Sequence, residues 1–85
     1  MNWEMVMMST LTNMLYEQEN DDIAEVTGID YTVDEEGLKY GYLTFIRSED
    51  ADKENPVIYM TWFDVTEMTG IHLGETQVYD KENNK

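Results

Sequence analysis

The hydrophobic positions at the start of the chain repeat with the spacing of a helix. An apolar stripe recurs every three or four residues, and neither Pro nor Gly interrupts segment 2–19. The members of the stripe are Trp3, Met7, Leu11, Met14 and Leu15. A narrower seam on another side is formed by Met5, Thr12 and Tyr16. The pattern predicts a helix over 2–19, with the second seam packed on its own domain; a homodimer or partner contact is the alternative use of that seam.

Two short stretches have the features of a capped helix. Asp22 and Glu25 have the spacing of a capping box, and Gly28 stands where a helix C-cap is expected. The eight residues from Asp64 match those from Asp22 at five positions, with Gly70 in the place of Gly28. These patterns predict short helices over 22–28 and 64–70. Because the flanking residues do not align, we interpret the similarity as one capping solution used twice and not as a duplication.

Alternation of apolar and polar residues predicts the strands. The predicted strands are 29–33, 38–47, 57–63 and 76–79. The second and third carry apolar residues on both faces, which favours central positions in a sheet. A turn is expected at 35–37 and a frayed polar tail at 80–85. The elements α-(α)-β-β-β-α-β define an α+β fold, with the N-terminal helix packed on a three- to four-stranded antiparallel sheet in a single domain, residues 1–85.

The charge of the chain is far from balanced. Nineteen Asp and Glu stand against five Lys and Arg, a net charge of -14 on 85 residues. A hydrophobic content of 41% and an aromatic content of 12% favour a folded chain over a disordered one. A compact domain of this length is about 30 Å across, and duplex DNA of that length carries about eighteen phosphate charges. Repulsion between this many acids lowers the stability of the folded chain. A basic partner is the simplest explanation for so large an excess of acidic residues.

Several kinds of site have little support in the sequence. The chain has no Cys, so disulfides, thiolate metal sites and cysteine nucleophiles are excluded. Asp50, Asp52 and Glu54 alternate like the first ligands of an EF-hand loop, but Asn55 and Thr61 replace its turn Gly and bidentate Glu. We therefore expect a solvated acidic loop, with no metal and no cofactor.

Catalysis and nucleic-acid binding are also disfavoured. His72 is the only imidazole, and neither Ser nor Thr is adjacent to it, so we do not expect an enzyme. Segment 23–29 resembles the start of a helix-turn-helix, but acids at 34–36 occupy the place of the recognition helix, and no basic residue precedes Gly37. A polyanion is also repelled by anionic lipid, and no apolar run reaches the length of a membrane span. We expect no nucleic acid or membrane partner and a cytoplasmic location.

The acids gather in three clusters, and aromatic residues alternate along the predicted strands. The carboxylates predicted to contact a partner are Asp21, Asp22 and Glu25, then Asp34, Glu35 and Glu36, then Glu49, Asp50, Asp52 and Glu54. The candidate aromatic anchors are Tyr31, Tyr40, Tyr42, Tyr59 and Trp62. Successive hairpin turns place the second and third clusters at opposite ends of the sheet. A band of carboxylates along the domain is therefore expected.

In size, charge and aromatic content, the whole chain resembles the small DNA-mimic inhibitors of phages and mobile elements. These include uracil-DNA glycosylase inhibitors, anti-restriction proteins and acidic anti-CRISPR proteins; no diagnostic motif of a single member is matched. The resemblance implies a protein that acts in a bacterial host and blocks DNA access by occupying the basic surface of a DNA-binding protein or nuclease. The alternatives are an immunity protein that neutralises a nuclease toxin, and a homodimeric structural or adaptor module.

Overall fold

One helix and four antiparallel strands form the fold. The computed structural model describes residues 3–35, 37–66 and 70–79. The elements are α1 (Trp3–Gln18), β1 (Glu25–Asp34), β2 (Gly37–Ile46), β3 (Tyr59–Thr66) and β4 (Gly70–Val78), with a short 3-10 helix at Ser48–Asp50. The strands are ordered β1-β2-β3-β4, and every neighbouring pair is antiparallel. The predicted α+β fold is confirmed, and β2 and β3 are central, as predicted.

The helix packs Met7, Leu11 and Leu15 of its predicted stripe against one face of the sheet, which we call the inner face. The side chain of Trp3 lies outside the described residues. Leu11 and Leu15 are fully buried, and Met7 packs beside them. From the strands, Leu43, Phe45 and Phe63 complete the core with Ile23 from the connection after α1. The opposite face, which we call the outer face, is not covered by α1. Within the described ranges, no helix is long and apolar enough to span a membrane.

A polar network joins the chain just after α1 to two strands. One carboxylate oxygen of Glu19 lies 2.9 Å from Nη2 of Arg47, which follows β2. Its other oxygen accepts a 2.6 Å hydrogen bond from Thr76 on β4, whose hydroxyl also contacts that of the buried Thr61 at 2.7 Å. The Arg47 guanidinium lies 4.1 Å from the ring centroid of Tyr59. Burial lowers the pKa of Arg47, but the hydrogen bond and charge of Glu19 outweigh burial, and the net direction is upward.

The short helix predicted at 22–28 is wrong, because β1 already begins at Glu25. The Asp22 carboxylate accepts a hydrogen bond from the Ser48 backbone N–H at 3.3 Å and so connects two distant parts of the chain. Val26 pairs with Phe45 across the sheet. A register shift follows it, and Gly28 then pairs with Thr44. The β-branched residues of this segment suit a strand, so long-range pairing overrides the local capping signal.

The second predicted helix, at 64–70, is also wrong where the structure describes it. The strand β3 continues through Asp64 to Thr66, and Val65 pairs with Ile71 across the β3–β4 hairpin. Gly70 has φ of 78°, so it supplies a left-handed residue to a hairpin and not to a helix end. The two similar octapeptides therefore occupy different structures. Residues 67–69 and the predicted frayed tail at 80–85 lie outside the described residues, and the last strand is longer than the predicted 76–79.

Candidate interaction surface

Two of the three acidic clusters lie at the same end of the sheet. Glu25, at the start of β1, pairs with Ile46 at the end of β2, and the hydrogen bond from Ser48 to Asp22 brings the β2–β3 connection beside the first cluster. The exposed acids at this end are Asp21, Asp22, Glu25, Glu49, Asp52 and Glu54. Sequence spacing predicts that successive hairpin turns lie at alternate ends of the sheet. It does not show that the first and third clusters lie side by side.

The second cluster lies at the far end of β1. Asp34 pairs with Gly37 at the β1–β2 turn, and the side chain of Glu35 is exposed there. Glu36 lies outside the described residues. Ten residues of extended strand span about 30 Å, and the exposed Asp30 lies midway. Because β1 is an edge strand, these carboxylates follow one edge of the sheet. We use the name acidic edge for the carboxylates of Asp21, Asp22, Glu25, Asp30 and Glu35 together with those of Glu49, Asp52 and Glu54.

Asp50 does not belong to the acidic edge. Its side chain is only 2% exposed, unlike those of its neighbours Glu49 and Asp52. One carboxylate oxygen lies 2.7 Å from the Lys53 ammonium, and the other accepts a 3.1 Å hydrogen bond from the Val57 backbone N–H. The bond to Lys53 lowers the pKa of Asp50, and the bond from Val57 acts in the same direction against the effect of burial. Asp50 therefore shapes the loop and is not available to a partner.

The described cations make their salt bridges with acids outside the acidic edge. Arg47 and Lys53 are the two basic residues other than histidine whose side chains the structure describes, and they pair with Glu19 and Asp50. Neither of these two acids is exposed. Among the described side chains, the acidic edge therefore has no salt-bridge partner, although the charges of Asp22 and Glu49 act on Arg47 and Lys53. Its excess of exposed carboxylates leaves a field of negative sign.

The five candidate aromatic anchors divide between the two faces of the sheet. Tyr31 and Tyr59 lie on the inner face and pack against the core, and Tyr59 stacks on Phe45 with centroids 5.7 Å apart. These two are therefore core residues and not free anchors. Tyr40 and Trp62 lie on the outer face, where they are 51% and 41% exposed. The register shift between Val26 and Gly28 changes which residues of β1 face inward on its two sides. No local sequence pattern predicts this shift.

The outer face carries a group of aromatic residues, which we call the aromatic row: Tyr40, Tyr42, Trp62 and Tyr79. Tyr42 lies directly opposite Trp62 and meets it edge to face at 5.0 Å, while it stacks with Tyr79 at 6.3 Å. The sequence prediction missed the role of Tyr79, although its alternation with Gln77 along the chain was a signal. It also missed Asp64, which lies opposite Tyr40 and was assigned to a helix cap.

Acidic groups flank the aromatic row on both sides. Asp30 lies opposite Tyr42, whose hydroxyl is 3.5 Å from one oxygen of the carboxylate, and the Tyr31 N–H donates to the other oxygen at 2.9 Å. Burial, then the charge of Asp30 and the neighbouring Tyr79, raise the pKa of Tyr42. Among the described residues, no hydrogen bond or ion pair engages the exposed Asp64. The outer face thus carries flat aromatic rings beside the Asp64 carboxylate, which has no hydrogen-bond or ion-pair partner among the described residues.

The second seam of α1 is used at least in part by the domain itself. Tyr16 packs against the core, and the Thr12 hydroxyl donates to the Met8 carbonyl at 2.8 Å. The side chain of Met5 lies outside the described residues. Across the described ranges, no group of three or more His, Asp or Glu side chains is arranged to hold a metal ion.

Comparison with known proteins returns no relative. No protein-family model matches the chain, and neither the curated proteins nor the solved structures give a match. Surface chemistry and geometry are thus the observations that bear on function.

Proposed function

We propose that this protein is a DNA-mimic inhibitor that occupies the basic DNA-binding surface of a bacterial DNA-binding protein or nuclease. One observation carries the proposal: exposed carboxylates follow β1 from one end of the sheet to the other, while the described cations pair with Glu19 and Asp50. An ordinary solvated surface intersperses both signs of charge. A row of one sign over about 30 Å matches the way in which a duplex presents its phosphates.

In this mechanism, the acidic edge acts before contact is made. A field of one sign steers a basic cleft towards the inhibitor and accelerates association, and the carboxylates then take the places of phosphates. The lone imidazole fits a binding role better than a catalytic one. His72 lies opposite Asp64 on a strand, where its side chain is exposed. Catalytic groups usually converge in a concave pocket.

Affinity capture tests the proposal. The chain is immobilised, exposed to a bacterial lysate at low salt and eluted with duplex DNA. We expect a DNA-binding protein in the DNA eluate, since mimic and DNA compete for one surface. The purified target should then bind the inhibitor at least tenfold more weakly when salt rises from about 50 to about 200 mM, because each displaced counterion adds to the salt dependence.

A matched pair of variants separates the acidic edge from charge in general. Glu25→Gln with Glu35→Gln removes two carboxylates from the edge, and Glu17→Gln with Glu75→Gln removes two exposed ones from α1 and β4. Only the first pair should abolish capture. Equal loss in both pairs would contradict a defined surface. A ternary complex of inhibitor, target and DNA would contradict mimicry and favour the immunity-protein alternative.

A further inference from the structure

We propose that the outer face binds an arginine side chain of a basic partner, held between Tyr40 and Trp62 and paired with Asp64. The inference deepens the proposed function, on which it rests for the source of the arginine. It assigns an anchor to the outer face, formed by residues other than those of the acidic edge, whose member Asp30 borders that face at Tyr42. The occupant is a segment of a basic protein, and charge complementarity with a chain of net charge -14 is the reason for that choice.

The positions of the two exposed rings suit a flat cation. Tyr42 and Trp62 are directly opposed across β2 and β3, and Tyr40 precedes Tyr42 by one step on the same face. Tyr40 and Trp62 are therefore diagonal neighbours, whose Cα atoms lie about 7–8 Å apart in an antiparallel pair, within reach of aromatic side chains. A guanidinium stacks on an aromatic face, as Arg47 does at 4.1 Å from the Tyr59 centroid, so one arginine can contact both exposed rings.

The third element of the site is the carboxylate. Asp64 lies opposite Tyr40 and two residues after Trp62 on the same strand, so it borders both rings. It is exposed, and among the described residues nothing engages it. Arginine presents five donors in a planar fork that can stack and pair at the same time, whereas lysine offers a compact point charge. The site should therefore prefer arginine to lysine.

A glycine leaves room beside Trp62. A Cβ placed on Gly74 would lie 3.8 Å from the Trp62 Cβ and 3.5 Å from its carbonyl oxygen, both ordinary van der Waals distances. A Cβ is thus tolerated there, and the absence of a side chain leaves space beside Trp62 on the β4 side. Gly74→Leu adds a side chain beside Trp62 whose Cβ meets only ordinary contacts, and it offers a test that removes no group of the proposed site.

The test uses the whole chain and a blocked peptide in which one Arg is flanked by Gly, with a Lys peptide of the same length. Binding is followed by NMR through the indole N–H of Trp62, which is identified by its loss in Trp62→Phe. We expect a saturable shift with the Arg peptide and at least fivefold weaker binding of the Lys peptide. Asp64→Asn and Gly74→Leu should each weaken the Arg peptide about fivefold or more. Glu17→Gln, on the helix, should leave its affinity unchanged.

The outcomes keep this inference distinct from the proposed function. Equal affinity for the two peptides, or an unchanged affinity in both Asp64→Asn and Gly74→Leu, would overturn the arginine site while leaving capture and DNA elution intact. The Glu25→Gln and Glu35→Gln pair should abolish capture yet retain the Trp62 shift with the Arg peptide. Loss of the shift in that pair, with a normal melting temperature, would also overturn a separate site.

Discussion

At the scale of single residues, Gly41 has the closest surroundings of the glycines whose environment the structure describes. A Cβ at this position would lie 2.1 Å from the Asp30 carbonyl oxygen and 2.9 Å from the ring of Phe63. Both neighbours are fixed, one by the β1–β2 ladder and the other by the core. The close approach of β1 and the core therefore requires a residue without a side chain.

We predict that Gly41→Ala lowers the free energy of unfolding by about 1–3 kcal/mol or more, because the backbone must move to admit the methyl group. Gly74→Ala is the control, since its Cβ meets only ordinary contacts. That control should leave stability unchanged or raise it by up to about 1 kcal/mol, through the lower entropy of the unfolded chain. Urea unfolding followed by circular dichroism measures both, and equal effects would contradict the steric account.

A second residue-scale prediction concerns pH. The folded state lowers the pKa of Asp50, so its contribution to stability is present above the pKa of an unfolded aspartate and is lost as pH falls through the lower folded value. Asp50→Asn should therefore destabilise the protein near pH 7, and the difference should disappear in strong acid. Asp52→Asn, on an exposed neighbour, is the control. Urea unfolding at a series of pH values measures the difference, and a deficit that persists below both pKa values would contradict this origin.

At the scale of elements, Glu19 connects the end of α1 to β4 and to Arg47, the residue that follows β2. Its carboxylate is satisfied by Arg47 and Thr76, two groups that no local interaction brings together. An acid near a helix C-terminus opposes the helix dipole, and no basic residue occupies the last turn of α1. Glu19 is therefore held by tertiary contacts in a position that helix electrostatics disfavours.

We predict that Glu19→Gln lowers the free energy of unfolding by about 1–2 kcal/mol, because a charge-assisted pair is replaced by an amide that cannot satisfy both donors. Glu17→Gln, two residues earlier and exposed, should have no cost or a gain of up to about 1 kcal/mol at the helix end. Thermal and urea unfolding of the two variants provide the measurement. A loss at Glu17 equal to that at Glu19 would contradict the role of the network.

The elements differ in how far the sequence could predict them. The helix and the central strands follow from periodicity, which is a local property, and were predicted correctly. The predictions of both short helices were wrong because capping signals are local and long-range strand pairing overrides them. Asp22, for example, accepts its hydrogen bond from the distant Ser48 and not from a helix N-terminus. The candidate site could also be predicted only in part. Turns indicated where the acids lie, but the burial of Asp50 depends on how the loop folds, which sequence spacing does not encode. The alternation that predicts the strand over 29–33 already places Tyr31 on its apolar face, the one that packs against the core.

At the scale of the whole molecule, the net charge of -14 acts on folding and on binding with opposite signs. Carboxylates concentrated along one edge repel each other, and this repulsion lowers the free energy of unfolding. For a partner with a basic cleft, the same field is attractive. A surface selected only for solubility would intersperse the two signs and avoid this cost.

We therefore predict that salt stabilises the fold while it weakens the complex. The melting temperature should rise mainly between about 10 and about 150 mM NaCl, where the Debye length falls from about 30 to about 8 Å and the acids along the edge cease to interact at a distance. Differential scanning calorimetry measures the rise, and the affinity for the captured target should fall over the same range. The concentration profile is the control, because ion-specific effects on burial continue to grow at molar salt, whereas screening saturates. A melting temperature that rises only above about 0.5 M would contradict self-repulsion as the origin, and the charge would then carry no folding cost that a function has to explain.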